Sequence, residues 1–262
     1  MRVLMMPTES EFHPYANTYH TVLNGASAAT AQEKDYFAHA CAKHFAECLQ
    51  WLNVTPTHVL DYGCGTGSSS VILAEALECP SLLGLDPSRH LISEARSRNG
   101  LTSMRSLRRN EFRPVQMMDA VYCSGTFHDI PPAERADALG FVYDSLRPGG
   151  AFGFWENNPW NPGTNYGISK CVVDEDSTAI TSRHARRLLR SAGFDVLQTD
   201  FLFFFPRQLR CLRWIEPILE KVALGGQYQV LCRKPLVGRS RGVATESCPM
   251  RYREHRHHLK FP

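Results

Sequence analysis

A glycine-rich turn after a short apolar segment is the feature that most constrains how this chain folds. The segment Val59-Leu60-Asp61-Tyr62-Gly63-Cys64-Gly65-Thr66-Gly67-Ser68 predicts a strand that runs into a turn, and SSSVILAEALE predicts the helix that follows. Glycines at alternate positions let a ligand approach the backbone closely, because a side chain there would obstruct it. The segment therefore predicts a ligand-binding turn at a helix N-terminus.

An acidic residue in the right place strengthens this prediction. The next apolar segment, SLLGL, ends at Asp86, roughly 20 residues after the turn. A carboxylate at the end of the second strand can accept hydrogen bonds from both hydroxyls of a ribose. Together the turn and Asp86 predict an adenosine-containing ligand at the carboxyl edge of the sheet. The alternative is a tight turn beside an aspartate that only caps a helix.

The spacing of the glycines discriminates between adenosine cofactors. A dinucleotide site has G-x-G-x-x-G, with pyrophosphate on the helix amides, whereas this chain has G-x-G-x-G. Asp61 stands two residues before Gly63. Its carboxylate would repel pyrophosphate but suits the ammonium group of a methionine moiety, directly or through water. The pattern favours S-adenosyl-L-methionine and disfavours a nicotinamide-dependent oxidoreductase.

Charge and cysteine usage exclude several classes of protein. The formal net charge is +3, but six Lys/Arg and two acidic residues lie in residues 236–262, so the rest of the chain is close to neutral. That balance gives no general signal for nucleic-acid or membrane binding. The nine cysteines include no CxxC pair, which indicates reduced, mostly buried thiols, and no metal site is predicted. No apolar run reaches the roughly 20 residues of a membrane span, so a cytoplasmic protein is expected.

Predicted strands alternate with predicted helices along most of the chain, which favours a doubly wound, mostly parallel α/β sheet. Helical spacing over residues 31–52 adds an N-terminal helix. The expected division is a helical cap or lid at 1–53, a main domain at 54–235 and a basic, disordered tail at 236–262. Residues 101–116 are basic and predict irregular structure.

Four segments resemble the motifs of class I S-adenosylmethionine-dependent methyltransferases. LDYGCGTG is similar to their motif I, Leu85-Asp86-Pro87-Ser88 to the end of their second strand, Asp119–Gly125 to their fourth strand, and Leu146–Gly150 to the turn before their fifth. The resemblance covers roughly residues 55–156. It implies a Rossmann-like, seven-stranded sheet with an antiparallel last strand. The cofactor-binding residues that it and the turn imply are Asp61, Gly63, Cys64, Gly65, Gly67, Asp86, Pro87, Ser124 and Gly125.

Two further cofactor contacts are expected from weaker similarity. The third-strand region of the class supplies an acidic residue near the adenine, but here the matching stretch is LRRNEF, so Asn110 or Glu111 is the candidate. The segment Phe12–Tyr19 is similar to the N-terminal cap of many small-molecule methyltransferases. That similarity implies that the Tyr19 hydroxyl reaches the cofactor carboxylate. The alternative is that Tyr15 and Tyr19, four residues apart on a helix, pack as a pair.

Two loops at the same edge predict the acceptor side of the site. Residues 125–132 and 156–162 resemble a methyltransferase subgroup that carries His-His-Ile-Pro and Glu-His-Asn-Pro-x-Asn-Pro, but this chain has Asp129 and Asn157 at the second histidines. His128 is the candidate general base, because its ordinary pKa lies near neutrality. Glu156 is expected to orient the acceptor or accept a proton. The alternatives are structural roles for both.

The predicted function is therefore methyl transfer from S-adenosylmethionine to a small molecule of sugar or secondary-metabolite type, by a monomer or homodimer that does not bind membranes. Nucleic-acid amino-methyltransferases place Asn/Asp-Pro-Pro-Tyr/Trp after the fourth strand, whereas Asn158-Pro159-Trp160 follows the fifth here. Nucleic acid is therefore disfavoured as a partner. A non-catalytic S-adenosylmethionine-binding module stays open, because Asp129 and Asn157 depart from the subgroup pattern.

Overall fold

The computed structural model of the chain describes residues 28–98, 104–161, 179–205 and 207–236. Helices and strands alternate through most of this length, as the sequence predicts. In chain order the elements are α1 (Ala28–Trp51), β1 (His58–Tyr62), α2 (Ser68–Ala76), β2 (Ser81–Asp86), α3 (Arg89–Arg98), β3 (Met104–Arg108), a 3₁₀ turn (Arg109–Glu111), β4 (Met118–Ser124), α4 (Arg135–Ser145), β5 (Leu146–Asn157), α5 (Ser182–Ser191), β6 (Asp195–Leu202), a 3₁₀ helix (Arg207–Ile215), α6 (Glu216–Leu219) and β7 (Gln227–Arg233).

The strands form one seven-stranded sheet in the order β3-β2-β1-β4-β5-β7-β6. Pairings from β3 through β5 are parallel, whereas β7 is antiparallel to both β5 and β6. The predicted doubly wound sheet with an antiparallel last strand is confirmed. The strand order reverses between β1 and β4, and ligands of open α/β sheets bind beside such a reversal, at the carboxyl ends of the strands.

One sequence prediction about the sheet is wrong. The irregular structure expected for residues 101–116 contains β3, which pairs with β2 from Leu82–Met104 to Asp86–Arg108. The strand is basic because it lies at the sheet edge. Met104 and Ser106 are buried while Arg105 points to solvent, so the apolar signal is too short to recognise.

The sheet has a hydrophobic core on each face. On one face α4 and α5 pack over residues that include Val121, Phe152 and Phe154. On the other face α1 and α2 pack over residues that include Val59 and Trp155. The described part of the predicted N-terminal cap therefore shares a core with the sheet. The division at residue 53 and the tail at 236–262 stay predictions, and nearly all of the tail lies outside the described residues.

Close packing of α1 on the sheet depends on a glycine. Phe45 of α1 is fully buried, and a β-carbon added at Gly153 of β5 would lie 2.6 Å from the Phe45 ring.

Within the described ranges no helix is long and apolar enough to cross a membrane. The seven cysteines in those ranges are all free thiols, and six are buried.

Two glycine substitutions test the packing of α1. Gly153→Ala should destabilise the protein by ~1–3 kcal/mol, because the added methyl forces Phe45 off the sheet. Gly140→Ala is the matched control. Gly140 lies inside α4, and no atom in the described ranges comes within 4 Å of the added carbon, so the variant should be more stable by ~0.5–1 kcal/mol. Urea unfolding measures both. Equal stabilities of the two variants would contradict this packing.

Candidate cofactor and acceptor site

The glycine turn joins β1 to α2 and is anchored to the neighbouring strand. The amides of Gly63 and Cys64 donate to the Leu85 carbonyl at 2.7 and 3.0 Å. Gly63, Gly65 and Gly67 have φ values of 81°, 54° and 75°. These left-handed conformations are open to glycine at little cost, which explains the repeated glycines. The turn therefore has its shape fixed by the fold before any ligand binds.

The three glycines differ in what a side chain would meet. A β-carbon at Gly63 would overlap the Thr126 hydroxyl, and one at Gly67 would lie 3.2 Å from Ala95. At Gly65 no atom of the described residues lies within 4 Å of the added carbon. The sequence pattern predicts that a ligand approaches all three glycines. Packing within the protein accounts for Gly63 and Gly67, and Gly65 is the position that faces open space.

Asp61 is a buried carboxylate, 4% exposed, at the end of β1. Its Oδ2 accepts a hydrogen bond of 2.6 Å from the Ser70 hydroxyl at the start of α2. Burial raises the pKa of Asp61 to about 6; the Ser70 hydrogen bond opposes this shift and the nearby Asp86 carboxylate adds to it. A carboxylate held in this way gains from a cationic ligand that would satisfy its charge.

Asp86 links the end of β2 to the glycine turn. Its Oδ2 accepts from the Gly65 amide at 3.1 Å, and its Oδ1 accepts from the Ser88 amide at 2.8 Å. Burial raises the pKa of Asp86, against the effect of these two amides. The structure therefore brings the predicted acid to the predicted turn, as a ligand contacting both would require.

The other cofactor candidates lie in different surroundings. The Cys64 thiol is buried 2.9 Å from the β-carbon position of Gly84, and burial raises its pKa well above the usual range, so it is a packing group rather than a reactive thiol. Pro87 is exposed beside Asp86. Ser124 ends β4, and the Gly125 amide donates to the Trp155 carbonyl at 3.0 Å.

At the adenine position the structure separates the two candidates. Glu111 is paired with Arg96 and Arg108 at 3.0 and 3.2 Å, whereas Asn110 is exposed in the turn after β3. The ion pairs give Glu111 a structural role and leave Asn110 as the candidate. Tyr19 lies outside the described residues. The roles of all these residues toward the cofactor stay predictions.

His128 and Glu156 come together at the carboxyl ends of β4 and β5. His128 Nδ1 donates to Glu156 Oε2 at 2.8 Å, and Glu156 Oε1 accepts from the amides of Phe127 and His128 at 2.8 and 3.2 Å. Glu156 is 3% exposed. The carboxylate therefore fixes both the loop backbone and the imidazole ring, so that Nε2 is the nitrogen that points away from Glu156.

Asp129 contacts the other side of the ring. Its Oδ1 lies 3.4 Å from His128 Nε2, and its side chain is 58% exposed, so it can turn away without leaving a buried charge.

Two further residues fix this loop, Thr126 and Arg135, and no sequence motif indicates either of them. Thr126 packs against Gly63, and buried Arg135 donates from Nε to the Ile130 carbonyl at 2.9 Å. A single sequence carries little signal for such loop-fixing contacts.

Comparisons with known proteins agree with this geometry. Residues 59–150 match a family model described as a methyltransferase domain. A carboxy-S-adenosyl-L-methionine synthase from Campylobacter curvus is 31% identical over 123 residues, which cover 46% of this chain and 53% of that protein. A trans-aconitate 2-methyltransferase from Escherichia coli is 22% identical over 166 residues, or 60% of this chain and 65% of that enzyme.

The fold comparison points the same way. The structure of a SAM-dependent methyltransferase from Archaeoglobus fulgidus superposes with a TM-score of 0.55 at 15% identity, over 73% of this chain and 94% of that one. The chain spans about half to two thirds of the length of the two relatives above.

The sheet order and the glycine turn with its two carboxylates define the class I methyltransferase fold. Residues 59–150 match the methyltransferase domain family, and the sheet has the fold of S-adenosyl-L-methionine-dependent methyltransferases of known structure.

The buried Asp61 carboxylate makes a prediction about stability. Its folded pKa of about 6 exceeds the unfolded value of about 3.9, so ionisation destabilises the fold as pH rises between these values. Asp61→Asn should therefore stabilise the ligand-free protein by ~1–3 kcal/mol near neutral pH, with the gain vanishing below about pH 4.

Urea unfolding at the two pH values measures this effect. Glu75→Gln, an exposed substitution on the same helix α2, is the control and should change stability by less than about 0.5 kcal/mol. An Asp61→Asn variant that is less stable than the parent near neutral pH would contradict the burial penalty.

Proposed function

We propose that this chain binds S-adenosyl-L-methionine through the glycine turn, Asp61 and Asp86 and transfers its methyl group to a small polar acceptor held beside His128. One observation carries the proposal. The turn with its two buried carboxylates and the His128–Glu156 pair follow neighbouring strands at one edge of the sheet.

The residues present fit the cofactor. Gly65 has a left-handed backbone and open space where its side chain would be, so a ligand can approach that amide closely. Asp86 sits at the end of β2, where its carboxylate would accept from ribose hydroxyls. Asp61 would face the ammonium group, and a positive charge there would offset the burial that raises its pKa.

The chemistry assigns different tasks to the two loop residues. When bound, S-adenosylmethionine supplies an electrophilic sulfonium methyl group. His128 Nε2 takes the proton that the acceptor loses as it attacks, and the proton stays on the imidazole. Glu156 holds Nδ1–H and stabilises the imidazolium that forms, as a carboxylate does for a catalytic histidine. Positioning and water exclusion supply the rest of the rate enhancement.

Two lines of support favour a small acceptor. The loops resemble a subgroup linked to sugar and secondary-metabolite pathways, and the two named relatives are a carboxy-S-adenosyl-L-methionine synthase and a trans-aconitate 2-methyltransferase, whose names both refer to small molecules. Asp129 lies where that subgroup has histidine, 3.4 Å from Nε2, so its carboxylate would select acceptors that donate a hydrogen bond or carry positive charge.

Cofactor binding tests the first half of the proposal. Isothermal calorimetry should show S-adenosylmethionine binding and no heat with NAD. Asp86→Asn should weaken the cofactor about 10- to 100-fold, because a charge-assisted acceptor of the ribose hydroxyls is lost. Glu111→Gln, in the 3₁₀ turn after β3, is the control and should change affinity less than about threefold. Undiminished binding by Asp86→Asn would contradict the assignment.

Turnover measurements test the second half of the proposal, which is methyl transfer to an acceptor beside His128. Across a panel of hydroxylated and amino metabolites, His128→Ala should lower kcat by about 10²- to 10⁴-fold on any acceptor found, while keeping cofactor affinity. His58→Ala, at the opposite end of the sheet, is the control and should leave kcat unchanged.

Mass spectrometry of the products separates methyl transfer from the alternatives. A methylated acceptor with S-adenosylhomocysteine supports the proposal. A product derived only from the cofactor itself, unchanged turnover in His128→Ala, or binding without turnover on every acceptor would contradict it.

A further inference from the structure

A buried polar cluster lies between α1 and the antiparallel edge of the sheet, outside the candidate cofactor and acceptor site. Its members are His44 and Cys48 of α1 and Asp200 of β6, with exposed fractions of 4%, 0% and 1%. The surrounding core consists of apolar side chains such as Phe45 and Trp155. Charged and thiol groups are rarely grouped this deeply unless they are paired or hold an ion.

The fold brings the three side chains together from distant parts of the chain. His44 and Cys48 are four residues apart and share one face of α1. Asp200 pairs with Gln229 across the β6–β7 ladder, which places Gln229 at the same level of the sheet. Because Asp200 is 156 residues from His44, the spacing of ligand residues along the sequence gives no sign of the cluster.

The distances fit one small metal ion. One ligand atom from each of the three residues lies within 4.8 Å of the others. His44 Nε2 is 3.2 Å from Asp200 Oδ2. Bonds of about 2.0–2.3 Å around tetrahedral zinc put neighbouring ligand atoms roughly 3.3–3.6 Å apart. The nitrogen and oxygen therefore already have about the separation that zinc requires, and the sulfur lies within 4.8 Å of both.

We propose that His44 Nε2, Cys48 Sγ and Asp200 Oδ2 form a zinc-binding site. A set of imidazole, thiolate and carboxylate suits Zn²⁺ and disfavours Mg²⁺ or Ca²⁺, which bind oxygen ligands. Gln229 Oε1 is the fourth donor, since it lies 3.5 Å from Cys48 Sγ and accepts its hydrogen bond. Lys221 pairs with Asp200 Oδ1, and so can keep holding the carboxylate from outside the coordination shell.

Charge favours a divalent cation in this buried place. The Cys48 thiolate and the Asp200 carboxylate carry two negative charges, which one zinc ion balances while the imidazole binds as a neutral ligand through Nε2. Zinc binding releases the Cys48 thiol proton to solvent. Loss of the thiol proton also leaves Gln229 Oε1 available to the ion.

The site would fasten α1 to the sheet. Its ligands bridge α1 and β6, with Gln229 adding β7, and Gln229 pairs with Trp155, the residue before Glu156. A buried ion pair alone is weak evidence for stability, whereas a bound structural zinc contributes binding energy directly to folding.

Cobalt substitution tests the proposal on the full chain. After treatment with a chelator, the protein should bind one equivalent of Co²⁺ with a thiolate-to-cobalt charge-transfer band and the visible bands of a tetrahedral ion, and Zn²⁺ should displace it. Cys48→Ser should abolish the charge-transfer band. Cys41→Ser is the matched control. The Cys41 thiol donates to Gln227 Oε1 just as the Cys48 thiol donates to Gln229 Oε1, but Cys41 lies outside the cluster. That variant should bind Co²⁺ like the parent.

Three results would overturn the site. They are no charge-transfer band in the parent chain, a band that persists in Cys48→Ser, and a band lost equally in Cys41→Ser. If Cys48→Ser does not fold, X-ray absorption of the zinc-loaded parent decides: one sulfur ligand among nitrogen and oxygen supports the site, and none refutes it. All readouts are made without S-adenosylmethionine, so their outcome is independent of the proposed methyl transfer.

Discussion

The contact on which the site depends is the hydrogen bond from the Gly65 amide to the Asp86 carboxylate. It ties the left-handed turn after β1 to the end of β2, and two amides of the same turn donate to the Leu85 carbonyl. Parallel pairing of β1 with β2 brings these ends together, so the fold itself sets the distance between the turn and the acid. The assignments of Gly65 and Asp86 as cofactor contacts follow from that arrangement.

Burial of the Asp61 and Asp86 carboxylates lowers the free energy of unfolding, and a bound ligand would offset this loss. Burial raises the pKa values of Asp61 and Asp86. Asp61 accepts from the Ser70 hydroxyl, and among the described residues no basic side chain forms an ion pair with it. A site that binds a cation commonly carries such uncompensated charge at the expense of stability. By contrast, the buried Asp200 carboxylate pairs with His44 and Lys221. A buried acid outside the cofactor site therefore does have basic partners.

Sequence patterns predict those parts of the molecule that depend on residues close together in the chain. The glycine turn, Asp86 and the alternation of strands and helices follow from short motifs, and the sheet confirms them. The sequence does not indicate the edge strand β3, because a strand with one exposed, basic face has the same composition as a loop. The reason for Gly63 could not be predicted either, because Thr126, which excludes a side chain there, is 63 residues away. The pairing of His128 with Glu156 was open for the same reason, although both residues were singled out.

The central claim is that one crevice binds both the ribose and the amino group of S-adenosylmethionine. A crystal structure of the chain with S-adenosylhomocysteine tests it most directly. The account predicts both ribose hydroxyls within hydrogen-bonding distance, about 2.5–3.0 Å, of Asp86, with the amino group facing Asp61 directly or through one water. The sulfur should point toward His128. A nucleoside bound elsewhere, or one whose ribose makes no contact with Asp86, would contradict the account.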